Sequence, residues 1–182
     1  MDNGAGSYRR YLDGDEAAFD EILIAYRDAL TFFINRYVHD LDAAEDLAID
    51  SFLYLLVHKH RYNFKTPLKT YLFMIGRSRA LDYLRHREKL TMVELSEAEW
   101  ELPACPSAEE EWFRNENRRA LQDAMKKLPE QMREAVYLCY FEGLTYEDAA
   151  QIMKKNKKQV ANLLYRAKEK LRTILGKDGE PF

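Results

Sequence analysis

The chain has 182 residues, a formal net charge of −3 and a hydrophobic fraction of 47%, enough apolar side chain for one domain or two small ones and too much for disorder throughout. Its longest apolar runs, such as Phe52 to Val57, are far too short to cross a bilayer, and the acidic N-terminal stretch lacks the layout of a signal peptide; no membrane insertion and a cytoplasmic location are expected. With only seven glycines and five prolines, scarce apolar/polar alternation, and periodic stretches rich in Ala, Leu, Glu, Lys and Arg, the composition argues against a sheet protein and predicts an all-α fold.

The first helix is predicted from about Asp15 to Val38, capped by Asp13 or Asp15 with Glu16 placed for a capping box, and Phe19, Leu23, Tyr26 and Leu30 share one face. A second starts near Leu41, after the polar break at His39 and Asp40, and runs to about His60 with Ala44, Ala48, Ser51 and Leu55 along one stripe. A third follows Thr66-Pro67, a cap and a proline at the first helical position, and continues through Arg87 with Leu68, Leu72 and Ile75 inward. These three suit one bundle. From about Lys89 to Pro106 the periodicity is poor, Pro103 and Pro106 interrupt it, and glutamates dominate, which reads as a linker. Helical pattern resumes at Ser107, a cap with Glu110 three positions on, and continues to Lys127; Pro129 opens another helix that ends at Gly143.

Leu144 to Leu171 holds two short helices with separate start signals. Thr145 is placed to cap the first with Asp148 at its third position, and Asn156 to cap the second with Gln159 at its third. Ala150 and Val160 stand ten residues apart, the separation that puts a small residue at the crossing of a helix-turn-helix and an apolar one in its shared core. In the second helix Val160, Leu164, Ala167, Leu171 and Ile174 are expected inward, leaving Lys157, Lys158, Ala161, Asn162, Tyr165 and Lys168 outward, where a major groove would be. Lysines there supply phosphate affinity, and an amide such as Asn162 bonds an adenine edge bidentately, worth about 1–3 kcal/mol of discrimination. A solvated basic helix is the plain alternative.

Charge is segregated along the chain. Residues 1–50 carry a net −8 and residues 51–89 a net +7; residues 90–117 turn acidic again, and residues 154–172 hold eight basic side chains against Glu169 alone. Two separate basic patches suggest two contacts with a polyanion. In the first patch Arg77, Arg79, Arg85 and Arg87 accompany Tyr62, Phe64, Tyr71 and Tyr83, a mixture suited to an unpaired strand, because arginines hold phosphates and aromatic faces stack bases at about 1–3 kcal/mol each.

The segments LPEQMREAVYLCYFEGLTYEDAAQIM and LLYRAKEKLR resemble the C-terminal domain of extracytoplasmic-function sigma factors, and GDEAAFDEIL, DAAEDLAIDSFLYL and TPLKTYLFMIGRSRALDYLRHREK resemble three successive portions of that family's sigma-two domain. The resemblance implies two small helical domains, a sigma-two bundle of three or four helices and a sigma-four helix-turn-helix domain, joined by a flexible linker: residues 1–89 for polymerase binding and −10 recognition and melting, residues 90–107 as the acidic linker, residues 108–176 for −35 recognition. It implies a sigma factor that directs core RNA polymerase to specific promoters, with promoter DNA and an anti-sigma factor as further partners. Asp46 and Asp50, one helical turn apart, match the acidic positions that dock on the polymerase clamp, with Ile49 where the family commonly has glutamine. Asn63, Phe64 and Lys65 fall in the specificity loop, Tyr62 to Leu68, which cups a flipped base; Ser78 falls where an asparagine usually edges that pocket; Arg77, Arg79 and Arg85 complete the −10 set. Tyr71, at a structural tryptophan position, and Phe73 are expected to pack instead. The −35 set comprises Lys157, Lys158, Gln159, Ala161, Asn162, Tyr165, Arg166 and Lys168; Lys154 replaces the usual turn glycine, at a cost on the order of 1 kcal/mol if its backbone is left-handed.

Enzymatic motifs are missing: His39, His58, His60 and His86 make no HExxH spacing, and neither a phosphate-binding glycine loop nor a serine elbow occurs. No catalytic residue, metal or cofactor is expected. Cys105 and Cys139 stand in no metal-ligand or CxxC spacing, and Cys139 is expected to be buried and inert. Two other readings remain: a regulator that uses the same helix pair to occupy an operator without joining polymerase, and an interaction protein that binds polymerase or an anti-sigma factor but no longer recognises promoters.

Overall fold

A computed structural model of the chain describes residues 4–90 and 120–176. The described residues are helices and turns, in two units whose division falls between Ala98 and Glu99. The linker expected at Lys89 to Pro106, the cap at Ser107 and Cys105 lie, apart from residues 89 and 90, outside the described residues.

The first unit comprises α1 (Ala5–Leu12), α2 (Ala17–Val38), α3 (Leu41–Val57) and α4 (Leu68–Leu90). Its core is built where α2 packs on α3 and α4: Leu30, Phe33 and Ile34 meet Ala44, Ala48 and Leu55 of α3 and Leu68, Leu72, Phe73 and Ala80 of α4, all buried. Each large side chain enclosed here is worth about 1.5–3 kcal/mol over leaving it in water. The rings of Phe33 and Phe73 lie 4.8 Å apart. Gly76 lets α4 come close to α2: a Cβ there would meet Leu30 Cδ1 at 2.8 Å and Ile34 Cδ1 at 3.2 Å.

Four expectations for this unit need correction. α1 was not anticipated; eight residues with glycine and serine carry too little periodicity to announce a helix, and packing on α2 stabilises it. α2 is capped by neither aspartate side chain: it begins after Glu16, with no side-chain capping bond, while Gly14 and Asp15 serve as the turn from α1. α3 stops at Val57 rather than His60, because a tight turn, Arg61 N–H to His58 O at 2.9 Å, replaces the helical bonds there. The boundary between α2 and α3 follows its signals. His39 closes α2 in a left-handed conformation (φ 54°), and the Asp40 carboxylate accepts from Ala43 N–H at 3.1 Å to open α3. α4 starts at Leu68, one residue later than the Thr66-Pro67 signal places it, so that Pro67 rather than Thr66 takes the cap position, its carbonyl accepting from Tyr71 N–H at 3.0 Å.

The second unit holds α5, whose described part covers residues 120–126, α6 (Glu130–Val136), α7 (Tyr146–Met153) and α8 (Lys157–Leu175). Pro129 caps α6. The helix runs on through a wider π turn, Tyr137–Phe141, with Glu142 N–H reaching Tyr137 O at 3.0 Å, and ends at left-handed Gly143 (φ 66°). Met125, Leu128, Ala135 and Leu138 pack with Ile152, Met153, Val160, Leu164, Ala167 and Leu171 to form its core. Ile174, expected inward, is exposed: it lies in the last turn of α8, beyond the helices that could cover it. Cys139 is half-buried rather than buried; desolvation, helped by Asp148, pushes its thiol up to about 11, which favours the protonated thiol.

Candidate nucleic-acid interface

In the second unit the two start signals read from the sequence are realised. Thr145 Oγ1 accepts from Asp148 N–H at 3.2 Å and its hydroxyl donates to Asp148 Oδ2 at 2.6 Å. Asn156 Oδ1 accepts from Gln159 N–H at 2.8 Å while Gln159 Oε1 accepts from Asn156 N–H at 2.9 Å, a complete capping box. Between them Lys154 takes a left-handed conformation (φ 54°), and Lys155 N–H closes back on Ala150 O at 2.9 Å. Ala150 and Val160 are both buried, so α7 and α8 meet as a helix-turn-helix.

Burial of Val160, Leu164, Ala167 and Leu171 decides the outward face of α8. Lys158, Asn162 and Tyr165 succeed one another at intervals of four and three residues, all exposed, with Tyr165 at 69%, the most exposed aromatic ring among the described residues of this unit. Gln159, Arg166 and Lys168 flank that line and are exposed as well; Ala161 is half-covered. Lys157 is drawn away into an ion pair with Glu147 of α7, and its ammonium holds the Glu147 carboxyl below the usual carboxylate range. That pair joins the two helices across their turn.

In the first unit the loop between α3 and α4 is held from within. The Tyr62 hydroxyl donates to Thr66 O at 2.7 Å, and Lys65 N–H donates to Asn63 Oδ1 at 3.1 Å, an Asx turn. Between them Phe64 is left-handed (φ 60°), a strained state for an aromatic residue. Asn63 and Lys65 point to solvent and Phe64 is half-buried. Tyr62 is a core residue, its phenol pushed up to about 12 by burial, so it is not open for stacking a base. Phe73 is fully buried, as expected, and Tyr71 is half-buried 5.2 Å from Tyr62.

The arginines of α4 do not gather on one face. Arg77 leans towards the Tyr37 ring of α2 at 6.0 Å, Arg79 lies on the opposite flank 3.3 Å from Asp50 and 5.7 Å from the Tyr54 ring of α3, and Arg85 pairs with Asp82 at 2.7 Å. Two residues along a helix turn the side chain by more than half a revolution, so Arg77 and Arg79 must diverge. Ser78 lies exposed between them.

On α3 the exposed Asp46 and Asp50 share a face with an apolar ridge the sequence reading missed: Ile49, Leu53 and Val57, 51%, 48% and 75% exposed. Its signal was present in the run Phe52 to Val57, which holds more apolar residues than one buried stripe of a helix can use. An apolar ridge edged by carboxylates is the composition of a docking face. Among the described residues, no helix is long and apolar enough to cross a membrane, and no group of three His, Cys, Asp or Glu side chains stands close enough to hold a metal ion.

The sequence matches the Sigma-70 region 2 model over residues 22–90 and the Sigma-70 region 4 model over residues 118–171. The RNA polymerase sigma-H factor of Pseudomonas aeruginosa is 29% identical over 164 residues, covering 86% of this chain and 85% of that protein. The ECF RNA polymerase sigma factor SigM of Bacillus subtilis is 28% identical over 161 residues, 85% of this chain and 93% of that protein. In fold the chain is similar to the sigma factor RpoE solved with the anti-sigma factor NepR from Bartonella quintana (TM-score 0.66, 23% identity, 88% of this chain and 98% of that one). It is likewise similar to CnrH solved with the cytosolic domain of CnrY (TM-score 0.63, 19% identity, 97% of each chain). The chain belongs to the sigma-70 family, as a sigma factor of its extracytoplasmic-function group.

Proposed function

We propose that the chain joins core RNA polymerase and directs it to specific promoters in the cytoplasm, a task of recognition and placement rather than catalysis. What carries this reading is the presence, beside a capped helix-turn-helix whose α8 offers Lys158, Asn162 and Tyr165 on one exposed line, of the first unit with its separate basic loop. α8 enters the major groove of the −35 duplex; Asn162 reads a base edge while Lys158, Arg166 and Lys168 hold phosphates. Lys157, engaged by Glu147, serves the junction of the two helices before it serves DNA.

Residues 1–89 act on the −10 element. Asn63, Phe64 and Lys65 of the strained loop, with Ser78 and Arg85 on α4, face the melted strand, while Arg77 and Arg79 serve the flanks on which they lie. Asp46 and the ridge Ile49, Leu53 and Val57 dock on the polymerase. Residues 90–107 join this part to the −35-reading part at 108–176. An anti-sigma factor is a further partner of the same surfaces, a reading supported by the neighbours solved with NepR and with CnrY.

Run-off transcription with purified core polymerase tests this. Initiation at defined sites on genomic fragments, dependent on the chain, is the expected result. A chain that footprints an operator by itself and starts no transcript with core would instead be a repressor or activator.

A further inference from the structure

α1 precedes the segment matched by the region 2 model, which begins at residue 22, yet it reaches the loop that reads the −10 strand. Tyr8 is fully buried, and its hydroxyl lies 3.1 Å from Leu55 O and 3.2 Å from Lys59 O. Those carbonyls sit where α3 ends and the loop departs, and helix ends leave carbonyls in need of a donor. The Tyr8 ring meets Tyr62 edge-on at 5.5 Å and lies 6.1 Å from Phe64. One residue on, the exposed Arg9 places its guanidinium 4.8 Å over the Phe64 ring.

Phe64 is therefore enclosed by Tyr8 and Arg9 of α1 and by Tyr62, 4.7 Å away in its own loop. Its left-handed backbone is a state that persists only where the surroundings over-determine it, and such strain gathers at functional sites. A loop between two helices does not hold a preorganised pocket unless its side chains are locked by neighbours. Here much of that support comes from α1.

We infer that α1 sets promoter specificity: Tyr8 and Arg9 are positioning residues that hold Phe64 in its strained conformation, so that Asn63 and Lys65 are presented to the unpaired −10 strand. This rests on the function proposed above. Tyr8 acts from beneath, by tying α1 to the end of α3; Arg9 acts from outside, as a cation over the ring. Neither needs to touch DNA.

The test assembles the full chain with core RNA polymerase on a library of promoter duplexes randomised through the −10 region, and reads which bases the transcribed templates carry. Tyr8→Phe removes only the hydroxyl. Arg9→Met removes the charge at an exposed position where folding is not at stake, and Arg9→Lys keeps a cation over the ring. The preference for the favoured −10 base is expected to fall about fivefold in Tyr8→Phe and Arg9→Met, the scale of one lost ordinary interaction. Arg9→Lys should keep most of it. The salt dependence of promoter binding should not change in Arg9→Met, since no phosphate contact is lost. An Arg9→Met holoenzyme with unaltered base preference overturns the inference, and so does a uniform drop in transcript yield with preferences intact. Wild-type chain that initiates on no library member sinks the sigma reading itself, a result separate from either.

Discussion

Arg79 on α4 stands 3.3 Å from Asp50 on α3, so a side chain assigned to promoter DNA and one assigned to polymerase docking share a single ion pair. The pair is partly exposed and worth at most about 1 kcal/mol to stability. Its consequence is for function: a partner that takes Asp50 is expected to compete with Arg79 for that carboxylate. Asp46 has no such tie to α4 among the contacts described and is the cleaner probe of docking. Asp46→Lys should weaken co-purification with core and leave −10 use by the residual complex unchanged; Asp50→Lys should weaken co-purification and also disturb −10 use, because Arg79 is repelled. Pull-down on core and transcription from a fixed template separate the two. Equal effects of both variants on both readouts would remove the link.

On α8 the side chains divide by what they can contact. Asn162→Ala should cost about 1–3 kcal/mol of discrimination at one base pair of the −35 element and relax specificity there. Lys158→Ala should weaken binding to all sequences alike and lower the salt slope by about one. Titrations of the holoenzyme against promoter duplexes over a range of salt measure both. A Lys158 variant that changes base preference would place that lysine on a base edge instead.

Gly76 sits where a methyl group would press on Leu30 and Ile34. Gly76→Ala gains helix propensity, roughly 1 kcal/mol, but overpacking a close helix contact costs about 1–3 kcal/mol. The net expectation is a lower melting temperature for the first unit, read by circular dichroism. At Lys154 the sign is opposite, since its left-handed backbone suits glycine: Lys154→Gly should stabilise the second unit by up to about 1 kcal/mol.

Burial pushes the Tyr8 phenol up to about 12 from 10.0. Folding therefore favours the neutral phenol: its contribution is fully present below about pH 10 and is lost as pH rises from there through 12. Tyr62 behaves in the same way. Chemical denaturation of the wild type should show stability falling through this range, and Tyr8→Phe, which has nothing to ionise, should lower stability at neutral pH and flatten that alkaline slope.

How much of this could be read in advance differs between the units. The capping pairs Thr145/Asp148 and Asn156/Gln159 join residues three apart, so their geometry follows from local sequence, and both formed. The inward stripe Ala44, Ala48, Ser51 and Leu55 was legible for the same reason, since helical period alone places it. Ile174 kept the period and lost the partner. α1 was not legible, because a helix of eight residues exists only by what it packs against. The divergence of Arg77 and Arg79 was legible as an angle; which helix each would meet was not.

The amino-acid sequence by itself determined the helices of the family segments, the caps at Asp40, Thr145 and Asn156, the exposed line Lys158, Asn162 and Tyr165 on α8 and the segregation of charge, all legible within a few residues of chain. Only the tertiary structure decided that Tyr62 belongs to the core, that Asp50 holds Arg79 across 29 residues of chain, and that Tyr8 and Arg9 close over Phe64 from more than fifty residues away. Those contacts join segments whose spacing carries no local signal, and they exist because the packing of α2 against α1, α3 and α4 brings the segments together.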